Sequence, residues 1–384
     1  MTTFAPLLPL QAPAISPRPK HLAYGDAVRV LGTLAVVIGH VADMPMQSQA
    51  PNTLNWWVCN LVNSMVRWAV PVYIMLSGAL LLDPARNEAP SVFYRKRLAR
   101  LGVPLVFWSA FFMLFGIYYT GWVKSGREAM TNLVLGQPYA HLHFIFRIAV
   151  LYAFTPMFRV FTRHAPRSMQ ISAVLILFAV WSADSVINGF MGTTLSAFAR
   201  FAPFVSFYLA GYLLRESYAK REHIKYHVMG LLTCMALLSG ITGWLCMTRG
   251  FAWYPSISLV MYDFLSPVRV PMAIFAWILL ITFFHHRKPE TSRSARLFAV
   301  LAPTTLGLYL IHPMFREILY YPYPIRDWLA THLHMGFLWS FTGIDPTRPS
   351  IFAGIALMVS LVYVLSLASV MLGMRIPFVR RVFE

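Results

Sequence analysis

The residues best suited to chemistry stand close together near one end of the chain: Asp26, Arg29, Thr33, Val36, His40 and Asp43, each three or four positions from the next. At 100° per residue these positions fall within roughly 100° of one another, a single stripe on one helix face. Histidine is the side chain whose ordinary pKa makes it a base near neutral pH. Asp43, one turn beyond His40, could orient that imidazole as a general base. The same residues could equally serve as an interhelical hydrogen bond. Arg29 and His40 are eleven positions apart, which is about 16 Å along a helix axis.

Other groupings carry weaker signals. Arg67 precedes a run from Pro71 to Leu80 that contains Ser77-Gly78, either a small-residue packing notch or part of a site. Tyr94 to Arg100 holds four cationic side chains, among them Arg97 and Arg100. They suit a membrane anchor, or a clamp for a polyanion, because arginine forks grip phosphate. His141 and His143 open an apolar segment that contains Arg147, and Tyr309 and His312 lie in a later one. These are either interfacial anchors or the polar and aromatic lining of a sugar-binding vestibule. No P-loop, HExxH, GxSxG or GxGxxG is found, so neither a metal nor a nucleotide cofactor is expected.

All of these residues sit in a chain built for lipid. Of 384 residues 58% are hydrophobic and only 12% charged, and the mean hydropathy is +0.59. A soluble enzyme or a disordered chain is excluded on those figures. At about 20 residues per span, ten apolar segments are expected, near 25–43, 57–82, 101–122, 142–162, 169–190, 200–214, 226–247, 258–284, 297–316 and 351–373. Pro267 and Pro271 should kink the eighth. Lys and Arg alternate between the loops, 20 on one side and 6 on the other. This predicts an all-α integral membrane protein of about ten helices with both termini in the cytoplasm. The net charge of +18 is then a topology signal rather than a nucleic-acid footprint. Residues 1–22 read as a Pro-rich cytoplasmic tail, 23–375 as one transmembrane domain and 376–384 as a basic cytoplasmic tail. Six arginines fall inside or at the edge of spans: Arg29, Arg67, Arg147, Arg159, Arg269 and Arg316. Arg159 and Arg316 can snorkel from span ends. Arg29, Arg67 and Arg147 suggest an anionic partner.

In this order the pieces resemble the membrane acyltransferase-3 family, and within it the branch that O-acetylates bacterial surface polysaccharide. Arg29 and His40 match that family's first-helix pair, and Arg67 with Pro71 to Leu80 resembles its "VPlFfxxSGxL" stretch. Arg97 and Arg100 fit its RxxR, His141 to Phe144 its "HLWF" with His143 in place of Trp, and Tyr152 to Arg159 its "Y-L-x-T-P-x-x-R". Ser206 to Tyr212 is similar to "SYFLLGY", and Tyr309 to Pro313 matches "YLIHP". The resemblance runs from about residue 22 to 373. It implies a multi-pass protein of the bacterial inner membrane that moves an acyl group, typically acetyl, from acetyl-CoA to a hydroxyl of a cell-surface or lipid-linked glycan. His40, Asp43 and Arg29 are then expected at the catalytic centre, and Arg67, Ser77, Arg97 and Arg100 on the donor side. His141, His143, Tyr309 and His312 are expected to face the acceptor. The competing expectation is a transporter or flippase of an anionic or lipid-linked sugar, which intramembrane arginines would suit equally.

Overall fold

The structure is a computed structural model that describes residues 23–84, 86, 88–192, 202–252, 256–285, 287, 292–320, 328, 331–332 and 351–383. The expected tail 1–22 lies outside the described residues, as do Arg200, Lys288, Arg326 and Arg348, which entered the loop count. Within them, backbone polar groups facing lipid are satisfied in the one way a spanning chain of this composition allows, by helices. Eight helical stretches are long and apolar enough to cross a membrane. Two shorter apolar helices, Phe204–Leu213 and Arg269–Phe284, occupy the sixth and eighth expected segments.

In chain order the helices are α1 (Ala23–Ser48), α2 (Leu54–Val66), α3 (Ala69–Leu81), α4 (Pro90–Phe115), α5 (Gly126–Val134), α6 (His143–His164), α7 (Arg167–Met191), α8 (Phe204–Leu213), α9 (Ile224–Arg249), α10 (Arg269–Phe284), α11 (Arg293–Leu301), α12 (Thr305–Tyr320) and α13 (Ile351–Gly373). Helix α1 is the hub, packing on α2, α3, α10, α11, α12 and α13. That position explains why its polar stripe is tolerated in an apolar protein: the stripe faces the bundle and not lipid.

Two features set by proline shape the middle of the bundle. The second expected span is two helices, interrupted at Arg67-Trp68. Pro71 has no N–H to return to the Arg67 carbonyl, four residues back. That carbonyl instead accepts from Arg269 Nε at 2.7 Å. The eighth expected span begins with a 3-10 turn, Ile257–Tyr262, and becomes α-helical only at Arg269, as Pro267 and Pro271 require.

Helices α3 and α8 approach more closely than any side chain would permit. A Cβ on Gly78 would lie 1.8 Å from the Tyr208 carbonyl oxygen, and one on Gly211 1.9 Å from that of Met75. Gly78 is thus the packing notch, and its neighbour Ser77 is left to line a cavity. Gly78→Ala or Gly211→Ala must push backbone apart, so each is expected to cost at least about 3 kcal/mol. Thermal unfolding in detergent checks this, and an unchanged midpoint would contradict it.

The arginines expected to snorkel do not. Arg159 is 5% exposed and Arg316 9%. Arg159 donates to the Leu81 carbonyl at 2.8 Å and pairs with Glu88 at 3.3 Å, and Arg316 pairs with the fully buried Glu317. Both lie deep in the bundle, where pairing replaces hydration. Burial alone would raise the Glu88 carboxyl, but Lys96 at 2.8 Å together with Arg159 holds it below the usual range. Glu88 therefore stays ionised and ties α4 to α6.

Candidate active site

The stripe on α1 feeds two cavities. The first, of about 400 Å³, is lined by Arg29, Ser77, Arg86, Arg97 and Arg100, with Tyr73, Tyr152, Phe144 and Tyr309. Among the described residues, four arginines and no acidic side chain line it. Arg29 also pairs with Asp26 at 2.7 Å. The Tyr73 hydroxyl bonds to Thr33 and to the Arg29 carbonyl, which fastens α3 to the stripe. Arg97 lies over the rings of Phe93 and Tyr152, 5.5 and 5.9 Å from their centres. Burial, and then the neighbouring Arg97 charge, pull the Arg86 guanidinium below its ordinary value. An anion arriving here would relieve that repulsion.

The second cavity, of about 680 Å³, is lined by Val36, His40 and Asp43 of α1, by Arg67, by His141 and His143, and by Trp122, Tyr139, Tyr262, Asp263, Arg269 and Arg316. Phe144 and Tyr309 line both cavities. Their rings meet edge to face with centres 5.5 Å apart, so the two rings form the partition. Along α1, Arg29 opens onto one side of it and His40 onto the other.

The neighbours of His40 differ from the expectation. Asp43 does not orient it: that carboxylate accepts from Arg67 Nη2 at 2.9 Å and from Asn63. The His40 partner is His312, with Nδ1 of His40 2.8 Å from Nε2 of His312. His312 is fully buried behind His40 and is not among the residues lining the cavity, so it is poorly placed to touch an acceptor. Arg67, expected beside Ser77, Arg97 and Arg100, lines the histidine cavity instead. The site is thus assembled from α1, α3, α4, α6, α10 and α12, with Arg67 at the break between α2 and α3.

The remaining intramembrane arginines are held by protein groups. Arg67 lies 4.2 Å over the Tyr262 ring. Arg269 donates to the Arg67 and Tyr262 carbonyls, each at 2.7 Å. Arg147 lies 4.6 Å over Phe204 and 5.1 Å over Phe264. His141 Nε2 donates to the Leu310 carbonyl at 3.1 Å, which leaves its Nδ1 buried with no hydrogen-bond partner. His143 Nδ1 donates to the Ala140 carbonyl.

Sequence reasoning did not find Arg86, Asn63, Trp122, Tyr139 or Asp263. Arg86 stands in a loop, away from the RxxR. The others carry no local signal, because only the tertiary fold brings Trp122, Tyr139 and Asp263 to the cavity and Asn63 to Asp43. Arg269 stands among the six intramembrane arginines of the sequence with no role assigned, although its place between Pro267 and Pro271 marks it out.

The chain matches the family model of an acyltransferase domain over residues 22–367. No curated protein and no solved structure is significantly similar to it. Matched over nearly its whole length and folded as an all-α bundle of apolar helices, this chain belongs to the acyltransferase-3 family and is a membrane acyltransferase.

Proposed function

We propose that the protein moves acetyl from acetyl-CoA to a hydroxyl of a cell-surface or lipid-linked glycan, in the bacterial inner membrane. The observation that carries this reading is the division of the α1 stripe. An arginine in a cavity with four arginines stands on one side of an aromatic partition, and a histidine on the other. The excess of Lys and Arg on one set of loops supports a cytoplasmic opening for the arginine cavity. Coenzyme A carries phosphates, and guanidinium forks bind phosphate with charge-assisted hydrogen bonds. The histidine cavity combines Trp122 and Tyr139, whose rings lie within 12° of parallel, with a few polar groups, a lining suited to a sugar.

In the reaction, His40 takes the proton of the acceptor hydroxyl as its oxygen bonds to the acyl carbon. The carbon–sulfur bond breaks, and the leaving thiolate recovers the proton from His40. The products are an acyl ester and free coenzyme A, and His40 is neutral again. Phe144 and Tyr309 keep water on the acceptor side away from the thioester until transfer. Against a flippase, the arginines that suggested an anionic cargo, Arg29, Arg67 and Arg147, are engaged by Asp26, by Asp43 and by aromatic rings.

The test is transfer of labelled acetyl from acetyl-CoA into carbohydrate by membranes containing the protein, with native-host glycans supplied. Protein-dependent label supports the reading. If label appears only with succinyl-CoA, the donor changes and the reaction class stands. No transfer from either, with translocation of a lipid-linked sugar, would replace the enzyme by a flippase.

A further inference from the structure

The family resemblance leaves open which imidazole nitrogen of His40 acts. We propose that Pro313 and His312 are a positioning device that holds His40 in the tautomer with a bare Nε2 facing the cavity. This rests on His40 being the proton acceptor of the transfer.

The argument starts from a missing donor. Pro313 lies inside α12, where a backbone N–H would bond to the carbonyl four residues back, that of Tyr309. With no N–H at 313, that carbonyl is open to another donor. His312 Nδ1 lies 2.7 Å from it. A carbonyl oxygen only accepts, so Nδ1 of His312 carries the hydrogen. In a neutral imidazole the other nitrogen is then an acceptor. Nε2 of His312 is that acceptor, and 2.8 Å away is Nδ1 of His40, which must therefore donate. The ring centres are 5.0 Å apart with planes within 11°. With nitrogens 2.8 Å apart, the rings lie edge to edge in nearly one plane, the geometry of an in-line N–H···N bond rather than a stack. The chain of donors ends at His40 Nε2, the one nitrogen left as a lone pair. His40 is part-exposed and lines the cavity, whereas His312 is fully buried.

Tyr309 anchors the device at its far end, because its hydroxyl donates to the His141 carbonyl. A tyrosine, a histidine and a proline of one helix turn thus set the chemistry of a histidine 272 positions away. When Nε2 takes the hydroxyl proton, the Nδ1–H bond to His312 shares the charge of the imidazolium. Had His312 been the direct contact with the acceptor, its Nε2 would face the cavity.

Nitrogen NMR of the full-length protein in lipid, labelled at histidine, reads the tautomer directly. A His40→Gln difference spectrum assigns the His40 signals. The expected result is a protonated Nδ1 and an unprotonated Nε2 on His40; the reverse assignment overturns the proposal. Kinetics supply a second readout. His312→Gln offers an amide oxygen to the same N–H and should keep kcat within about tenfold of the parent. His312→Leu has no acceptor and should lose on the order of 100-fold in kcat, with KM for acetyl-CoA unchanged. Equal losses in the two variants, or none, also overturn it. If His312→Leu does not fold, the spectrum of the unaltered protein still decides. The expected tautomer in a protein that transfers from no acyl-CoA would uphold the device and sink the transferase reading.

Discussion

Replacing His40 by alanine is expected to lower acetyl transfer by about 10² to 10⁴-fold while leaving acetyl-CoA binding intact. General-base assistance is worth about 10² to 10⁴ in rate. His141 and His143 also line the cavity, and each donates one ring N–H to a carbonyl, that of Leu310 and that of Ala140, so transfer left in the variant would point to one of them as a weaker base. Binding survives because the arginine cavity lies on the far side of Phe144 and Tyr309. Labelled-acetyl transfer and a donor-induced thermal shift, measured on the same preparation, separate the two effects. Loss of both would mean that the variant is misfolded or that His40 belongs to the donor site. Transfer at the unaltered rate would remove His40 from the chemistry. Asp43→Asn should differ in kind. Asp43 pairs with Arg67 at 2.9 Å, so its loss takes the carboxylate from a part-buried guanidinium and shows first as lost stability.

That contrast marks how far the sequence can be read. The helix stripe from Asp26 to Asp43 is legible because a period of 3.6 residues is a local property, and the helix forms as expected with Arg29 and His40 on one face. Membrane character, and the proline-broken eighth segment, follow equally from composition and position. Asp43 illustrates the limit. Its spacing from His40 suggested a pair, yet an aspartate takes whichever strong donor the fold supplies, and Arg67 and Asn63 of the neighbouring helix supply two. His312 is the converse case. Its motif is visible in the sequence, but nothing local shows that a ring 272 positions away is its partner. Arg159 and Arg316 look like snorkelling residues because sequence position marks distance from a span end and not whether an acid lies opposite. Glu88, 71 positions away, does lie opposite Arg159, while Arg316 pairs with its own chain neighbour Glu317; both arginines are buried. Ser77-Gly78 was read as notch or site. The fold uses the glycine for the first and turns the serine to the cavity.

The second large effect is expected on the donor. Arg97→Ala together with Arg100→Ala should raise KM for acetyl-CoA by about 10² to 10³-fold with little change in kcat. A hydrogen bond to a charged group contributes about 1.5–3 kcal/mol, near tenfold or more in binding for each arginine. Both side chains line the same cavity as Arg29 and Arg86, so a phosphate there meets several guanidinium groups at once. The loss falls on KM because this end of the donor does not change between ground and transition state, and contacts of that kind bind both equally. Added salt should mimic the substitution in the parent and matter less in the variant. A coenzyme A thioester lacking its 3′-phosphate sharpens the test. If the arginines grip that phosphate, removing it and removing the side chains should cost far less together than the two losses summed. Additive losses would assign Arg97 and Arg100 to another part of the donor. An unchanged KM would make them the membrane anchor that their basic neighbours Arg95 and Lys96 also suggest, and would leave the cavity to Arg29 and Arg86.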